Sequence, residues 1–368
     1  MDFERLSSIP ERSPRRFSSK QNGSRVNIGL VGLGYWGPNL LRALFELEDV
    51  EVSYICDLDS ERLERFARRY PSARPTRDFD NLLADPKVDA VVIATPVFTH
   101  FGLATRALQA GKHVFVEKPM ASSSAEAGEL IELADQMDRA LRCGHTFLYS
   151  PAVRAVKEII SSGDLGEIYF ISSSRVNLGL HQRDVSVVWD LGPHDFSILL
   201  YWMDEMPDWV GAVGRDSIVK GIPDVAFIDM GFPCGTLSHI ELSWLAPSKL
   251  RRTVIVGSQK MVVYDDSSSE PVRVFDSGVG ISYDDPETFG QYQLSYRTGD
   301  ILSPKLATTE PIITELTDFV AGVRNGRAPE GNPTLARNVV RLIEAAECSM
   351  EERGVPASIE SPVAQPSR

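Results

Sequence analysis

The chain has no apolar run approaching the roughly 20 residues that a membrane-spanning helix needs, so a helical membrane protein is not expected. Cysteine is sparse: Cys56, Cys143, Cys234 and Cys348 are far apart, with no CxxC and no Cys/His ligand spacing. That pattern offers neither a disulfide framework nor a zinc site, and no metal is expected. Cys56 and Cys143 sit in apolar, strand-like runs, where a reduced thiol behaves as a small hydrophobe. The chain therefore reads as reduced and cytoplasmic. Positive charge is also short, with 38 Lys and Arg against 51 Asp and Glu and a formal net charge of −13. This argues against nucleic acid as a partner, although a local field could still favour an anionic small molecule. Residues 1–24 are rich in Ser, Arg and Pro and lack the apolar segment of a secretory signal. Asp2, Glu4 and Glu11 weaken a transit-peptide reading, so 1–24 is expected to be a disordered tail, and 355–368 a flexible one that frays.

What is present is length and pattern. At 368 residues there is enough chain for two cores, since single cores stop growing near roughly 250–300 residues. From Arg25 short apolar strands alternate with amphipathic helices. Strands are expected at Val26–Val31, Val52–Asp57, Ala90–Thr95, His113–Glu117 and Ala140–His145, with helices at 38–47, Ser60–Tyr70, Phe79–Ala84, Thr99–Ala110 and Ser123–Asp138. Continuous apolar strands between helices predict a parallel, doubly wound sheet over 25–147, with its crevice at the carboxyl ends of the strands. Beyond Tyr149 the pattern changes. Helices at Ala152–Ser161 and Val188–Met203 bracket a strand over 166–176, and consecutive strands follow between Trp209 and Phe275. Strands without intervening helices predict an α+β domain over 148–354 with an open, mainly antiparallel sheet. Helices at Pro311–Asn325 and Thr334–Arg353 would close it, the first with Ile312, Leu316, Phe319 and Val320 on one face.

The first strand runs into Gly32-Leu-Gly34-Tyr35-Trp36-Gly37 and then a helix. Strand, glycine turn and helix in that order are what a dinucleotide site requires. Gly32 makes the turn, Gly34 admits a pyrophosphate close to the backbone, and Gly37 packs helix on strand. The helix start offers N–H groups to phosphates. Asp57 closes the next strand, where a carboxylate accepts a ribose 2′-hydroxyl and repels a 2′-phosphate, so the expected cofactor is NAD. Tyr35 and Trp36 lie inside the turn. Ala94-Thr95-Pro96 and Glu117-Lys118-Pro119 end two further strands at the same edge, with His100 shortly after the first. Thr95, Pro96, His100, Glu117 and Lys118 join the cofactor contacts on position alone. Thr95 or Thr99 serves equally well as a helix cap, and Lys118 as a solvated charge.

A second cluster is Trp189-Asp190-Leu-Gly192-Pro193-His194-Asp195. Asp190 and His194 share a helix face, while Gly192 and Pro193 suggest an exposed, shaped terminus rather than a plain helix interior. A carboxylate beside an imidazole sets its tautomer and raises its pKa, which suits a general base. Asp190 and Asp195 could equally be caps, and His194 an ordinary buried histidine. Alcohol oxidation needs a proton acceptor and a cation for the developing oxyanion, which His194 and Lys118 would supply in a division the residues leave open.

Taken together, Gly32-Leu-Gly-Tyr-Trp-Gly, Ala94-Thr-Pro, Glu117-Lys-Pro and Asp190-Leu-Gly-Pro-His194 resemble, in order, the motifs of the Gfo/Idh/MocA oxidoreductases over about residues 25–355. The resemblance implies a Rossmann domain followed by an α+β domain whose open sheet often mediates oligomers, so a homodimer or homotetramer is expected. It also implies that Lys118, Asp190 and His194 are the catalytic Lys, Asp and His. Gly34–Asn39 and Val176–Asp190 look most like the sugar 3-dehydrogenases of amino-sugar pathways, UDP-N-acetylglucosamine 3-dehydrogenases among them. Arg175, Asn177 and Arg183 would then contact a sugar or phosphate, together with Lys118, Asp190 and His194. Ser150 stands where many relatives carry Asn before Pro151. The implied activity is oxidation of a secondary hydroxyl, C3 of an activated hexose. Alternatives are a free-sugar or inositol 2-dehydrogenase, a 3-ketosugar reductase, or a regulator that senses NAD without chemistry.

Overall fold

The computed structural model describes residues 25–179, 181–182, 185–282, 293–325 and 333–359. The expectations for 1–24, Arg183 and 360–368 lie outside the described residues. Two compact units emerge. One comprises residues up to Glu117, 128–144 and 312–333; the other comprises 118–127, 145–311 and 334 onward.

The first unit contains β1 (Val26–Val31), α1 (Gly37–Glu46), β2 (Val50–Cys56), α2 (Ser60–Arg69), β3 (Arg74–Thr76), α3 (Phe79–Ala84), β4 (Ala90–Ile93), α4 (His100–Gln109), β5 (His113–Glu117) and β6 (Leu141–Gly144). The helix α5 (Ser124–Gln136) precedes β6. The six strands pair in parallel in the order β3-β2-β1-β4-β5-β6. Every residue of β4 and β5 is buried, as expected of strands covered on both faces. The order reverses between β1 and β4, and the glycine turn follows β1 at this switch point, where ligands bind in doubly wound sheets. β3 is too short and too polar to stand out in the sequence.

The unit also recruits α8 (Pro311–Asn325), which the sequence pattern places in the second domain. Ile312, Leu316, Phe319, Val320 and Val323 join the core of the parallel sheet. Phe319 meets Phe115 edge-on at 5.6 Å, and Asp318 accepts from buried Arg142 at 2.8 Å. Periodicity identifies an apolar face but not the core that receives it, so a single break near residue 147 differs from the observed discontinuous division.

The second unit contains α6 (Pro151–Ser161), β7 (Ile168–Leu178), α7 (Val187–Met203), β8 (Trp209–Arg215), β9 (Val225–Gly231), β10 (Leu237–Ser243), β11 (Leu245–Gly257), β12 (Met261–Asp265), β13 (Val272–Ser282), β14 (Gln293–Leu302), α9 (Pro333–Glu351) and β15 (Ala357–Ser358). Its sheet runs β14-β13-β12-β11-β7-β10-β9-β8-β15, antiparallel except for the parallel β7–β10 pair. Ala226, Ile228, Met230, Ile240 and Leu242 alternate inward onto Phe196 and Trp202 of α7 and Val339 and Ile343 of α9. The opposite face leaves Phe170, Phe227 and Leu237 exposed. β14 escapes sequence reading because it lacks an apolar alternation; Tyr296, Ile301 and Leu302 are exposed on it. Residues 357–358, expected to fray, instead pair with Trp209 and Val210, and Ile359 is buried.

A second correction concerns α7, which runs through Gly192 and Pro193 instead of ending there. Pro193 has no N–H to give the Trp189 carbonyl. Burial of Val187, Val188, Phe196, Leu199 and Trp202 along the same helix outweighs that missing bond. No described helix is long and apolar enough to cross a membrane.

Candidate functional site

In the first unit the glycine turn is shaped for close approach of a ligand to backbone. Gly32 has φ +96°, and a Cβ there would lie 2.4 Å from the Ala94 carbonyl oxygen and 2.9 Å from Thr95 Cγ2. A Cβ on Gly37 would fall 1.9 Å from the Gly32 oxygen, so the helix start and the turn touch. Nothing lies within 4 Å of the Cβ position of Gly34. The α1 N-terminus has no side-chain cap and no acidic residue in its first turn. An open glycine facing an uncapped helix start fits a pyrophosphate. Tyr35 and Trp36 are exposed beside it.

Asp57 follows β2, and its carboxylate is tied to the turn. Oδ2 accepts from Leu33 N at 2.6 Å, and Oδ1 accepts from Asp59 N at 2.8 Å. Thr95 lines the turn, and its hydroxyl pairs with that of Thr99 at 2.6 Å. Thr99 also donates to the Pro96 carbonyl at 2.7 Å, so it braces the loop instead of capping α4. His100 is buried with Nε2 2.8 Å from the Thr95 carbonyl, a support for the loop rather than a ligand-facing group. Pro96 is exposed, and Glu117 is buried at the end of β5 next to Gly144.

In the second unit Lys118 Nζ donates to the Asp190 carbonyl oxygen at 2.8 Å and lies 3.6 Å from Asp190 Oδ1. The other carboxylate oxygen, Oδ2, accepts from Trp244 Nε1 at 3.0 Å. Ser186 supplies the α7 cap, its hydroxyl accepting from Trp189 N, so neither Asp190 nor Asp195 caps this helix. His194 lies one turn beyond Asp190, its ring edge-on to Phe147 at 4.9 Å. Burial is the main reason its imidazole titrates well below the usual histidine range, with the charges of Lys118, Arg175, Arg251 and His145 adding to it. This corrects the expectation of a raised pKa: the Asp190 oxygens serve Trp244 and Lys118, and desolvation dominates at His194. The consequence is an imidazole that is neutral at pH 7 and less basic than an ordinary histidine.

Arg175, expected to contact a sugar or phosphate, already has a partner within the unit. It is buried and ion-paired through Nε with Asp195, whose Oδ1 accepts from Ser173 Oγ at 2.7 Å. Its guanidinium also sits 4.7 Å from the Phe147 ring centroid. Asn177 lies on the same strand, with Oδ1 buried and without a hydrogen-bond partner among the described residues. Trp244, His181 and Phe147 were not anticipated. Phe147 and Trp244 belong to no motif, His181 falls inside the Val176–Asp190 stretch without standing out, and only the fold brings His181 to Trp244 and Phe147 to His194.

Residues 26–145 match the sequence model described as an oxidoreductase family with an NAD-binding Rossmann fold, and residues 153–263 match the Gfo/Idh/MocA C-terminal domain. The chain belongs to the Gfo/Idh/MocA oxidoreductase family. This family member is an NAD-binding oxidoreductase. It is 25% identical to a myo-inositol 2-dehydrogenase of Thermotoga maritima over 339 residues, covering 89% of this chain and 97% of that one. GenD2 from gentamicin A biosynthesis, solved in complex with NAD, matches with a TM-score of 0.78 at 22% identity, over 93% of this chain and 98% of its own. UDP-N-acetylglucosamine 3-dehydrogenase GnnA from Acidithiobacillus ferrooxidans matches with a TM-score of 0.73 at 24% identity, over 89% and 98%. At those identities the two structures show a shared fold.

Proposed function

We propose that this oxidoreductase oxidises a secondary hydroxyl of a sugar, C3 of an activated hexose such as a UDP-N-acetyl amino sugar, with NAD as cofactor. The observation that carries the reading is the Lys118–Asp190 contact one helical turn from the neutral imidazole of His194. His194 accepts the hydroxyl proton. The Lys118 ammonium stabilises negative charge growing on the substrate oxygen, and Asp190 holds that ammonium in place. Bound NAD supplies the hydride-accepting carbon. The glycine turn, the α1 N-terminus and Asp57 hold the dinucleotide, with Tyr35, Trp36, Thr95 and Pro96 alongside.

Oxidation of a free sugar or of C2 of an inositol is the second reading, supported by the nearly full-length similarity to the inositol enzyme. Reduction of a 3-ketosugar is the same step reversed, with protonated His194 returning the proton. A sensor of NAD would have no use for a proton-handling pair. The exposed Phe170, Phe227 and Leu237 on the open sheet face support a homodimer or homotetramer. Four free cysteines support a cytoplasmic setting.

The test is NADH formation against UDP-sugars, sugar phosphates, free sugars and inositols. Lys118→Ala and His194→Ala should each lower turnover by about 10²–10⁴-fold while NAD affinity survives. Wild-type turnover in both variants would remove the proposed roles.

A further inference from the structure

No hydrogen bond fixes the His194 ring: neither of its nitrogens has a partner among the described residues. The two carboxylates closest in sequence are taken up elsewhere, Asp190 by Trp244 and Lys118, and Asp195 by Ser173 and Arg175. A histidine that handles protons must still present one particular nitrogen, a choice that a hydrogen bond at the other nitrogen commonly makes. Here the ring contact is with Phe147, at 4.9 Å between centroids and 69° between planes. Such edge-on contacts set the positive rim of one ring against the negative face of the other, which fixes the angle between them.

Phe147 is itself held. It lies on a single helical turn, Thr146–Tyr149, just ahead of α6, and is partly exposed. The guanidinium carbons of Arg175 and Arg251 sit over its ring, 4.7 and 5.5 Å from the centroid. These two arginines are direct cross-strand partners on β7 and β11. Like charges so placed repel, but each has its own carboxylate, Asp195 for Arg175 and Asp266 at 2.9 Å for Arg251. Both can therefore rest on the negative face of the ring, and turning the ring would break both contacts. Arg175 acts twice. Its Nε grips Asp195, the residue after His194 on α7, while the same guanidinium lies over the ring that touches the imidazole. Main chain and side chain at His194 are thereby tied to one cation. A leucine at 147 would fill space but offer neither a face to the arginines nor a rim to the imidazole.

We propose that Phe147, clamped by Arg175 and Arg251, is the positioning residue for His194, holding the imidazole at the angle from which it exchanges the substrate proton. The inference rests on the dehydrogenase reading above and supplies what orients its base. The charged and titratable groups around the imidazole are Lys118, His145, Arg175 and Arg251, with Asp190 one turn before it and Asp195 beside it. Desolvation is the main cause of its lowered pKa, so loss of the aromatic ring should admit water and move that pKa back up towards 6.5.

The experiment follows the histidine rings of nitrogen-labelled free protein by NMR across pH, with His194 identified by the signal that His194→Gln removes. NADH formation across pH is measured in parallel. The proteins are wild type, Phe147→Leu and Phe147→Tyr, with Phe147→Met as the same test should the leucine variant fail to fold. Wild-type His194 should be a single neutral tautomer at pH 7. In Phe147→Leu it should show mixed tautomers and titrate at higher pH. In that variant kcat should fall roughly tenfold or more with KM little changed, and the acid limb of kcat/KM should move to higher pH. Phe147→Tyr keeps the ring and should recover most of the loss. A His194 spectrum in Phe147→Leu identical to wild type would overturn the proposal. So would a raised KM at unchanged kcat, the mark of a side chain that merely touches substrate. An altered spectrum, with no NADH formed by wild type from any sugar or inositol, would support the positioning contact and refute the dehydrogenase reading. NADH formation by wild type with the spectrum unaltered in Phe147→Leu would do the reverse.

Discussion

The two units build their candidate sites from different material. The first uses backbone: a turn held at φ +96° by Gly32, an uncapped helix start, and a carboxylate that bonds Leu33 N and Asp59 N. Its residues are neighbours in the chain or on adjacent strands. The second uses side chains, with Lys118, Phe147, Asn177, His181, Asp190, His194 and Trp244 gathered from separate elements. A backbone cradle tolerates change in almost every side chain except its glycines. A lattice of side chains depends on each partner, because every group is oriented by another. The imidazoles repeat the contrast. His113 in the first unit accepts from Ala140 N at 2.9 Å and serves the fold, whereas His194 in the second stands among cations and aromatic rings.

The largest effect should come from the lattice. Asp195→Leu strips the partner from buried Arg175 and should cost about 3–5 kcal/mol in denaturant unfolding. Adding Arg175→Met should restore much of that loss, since an apolar replacement of a buried pair is often neutral. A loss under about 1 kcal/mol for Asp195→Leu would mean that the second unit is less interdependent than its contacts imply.

Acid should separate the two imidazoles. Burial, aided by the Arg139 charge, lowers the His113 pKa to about 4 from an ordinary 6.5. Between those values the unfolded chain binds a proton that the folded chain refuses, so stability falls as pH falls from 6.5 towards 4 and levels below. The span is on the order of 3 kcal/mol. Thermal unfolding from pH 7 to pH 4 should fall more steeply for wild type than for His113→Gln; parallel curves would acquit His113.

The cradle should show the smallest effect of the three. Gly32→Ala places a Cβ 2.4 Å from the Ala94 oxygen at a φ that L residues rarely adopt. A strain of about 1–3 kcal/mol should weaken NAD binding roughly five- to 150-fold in a fluorescence titration. Unchanged affinity would mean that the turn relaxes without harm.

Much of the first unit was readable along the chain. Its strands are continuous apolar runs, its turn carries three glycines at fixed spacing, and Asp57 ends the adjacent strand. Periodicity also located α8 and its apolar face, but could not say that Phe319 would pack on Phe115 instead of in the second core. In the second unit Lys118, Asp190 and His194 stood out through their motifs. Asn177 stood out on position, yet nothing local distinguished it from Arg175, whose charge is taken up by Asp195 from a different element. Pro193 misled for a related reason. The local rule against proline inside a helix is real, and burial along the rest of α7 overrides it.

By itself, then, the sequence determined what short-range chemistry controls: the strand–turn–helix order, the glycines, and the placement of one carboxylate for a dinucleotide. Tertiary structure decided what depends on distant partners. It turned Asp190 towards Trp244 and Lys118, lowered rather than raised the His194 pKa, and paired Arg175 with Asp195. Backbone conformation is encoded within a few residues. Burial, and the charges that act through it, are properties of the whole packed unit.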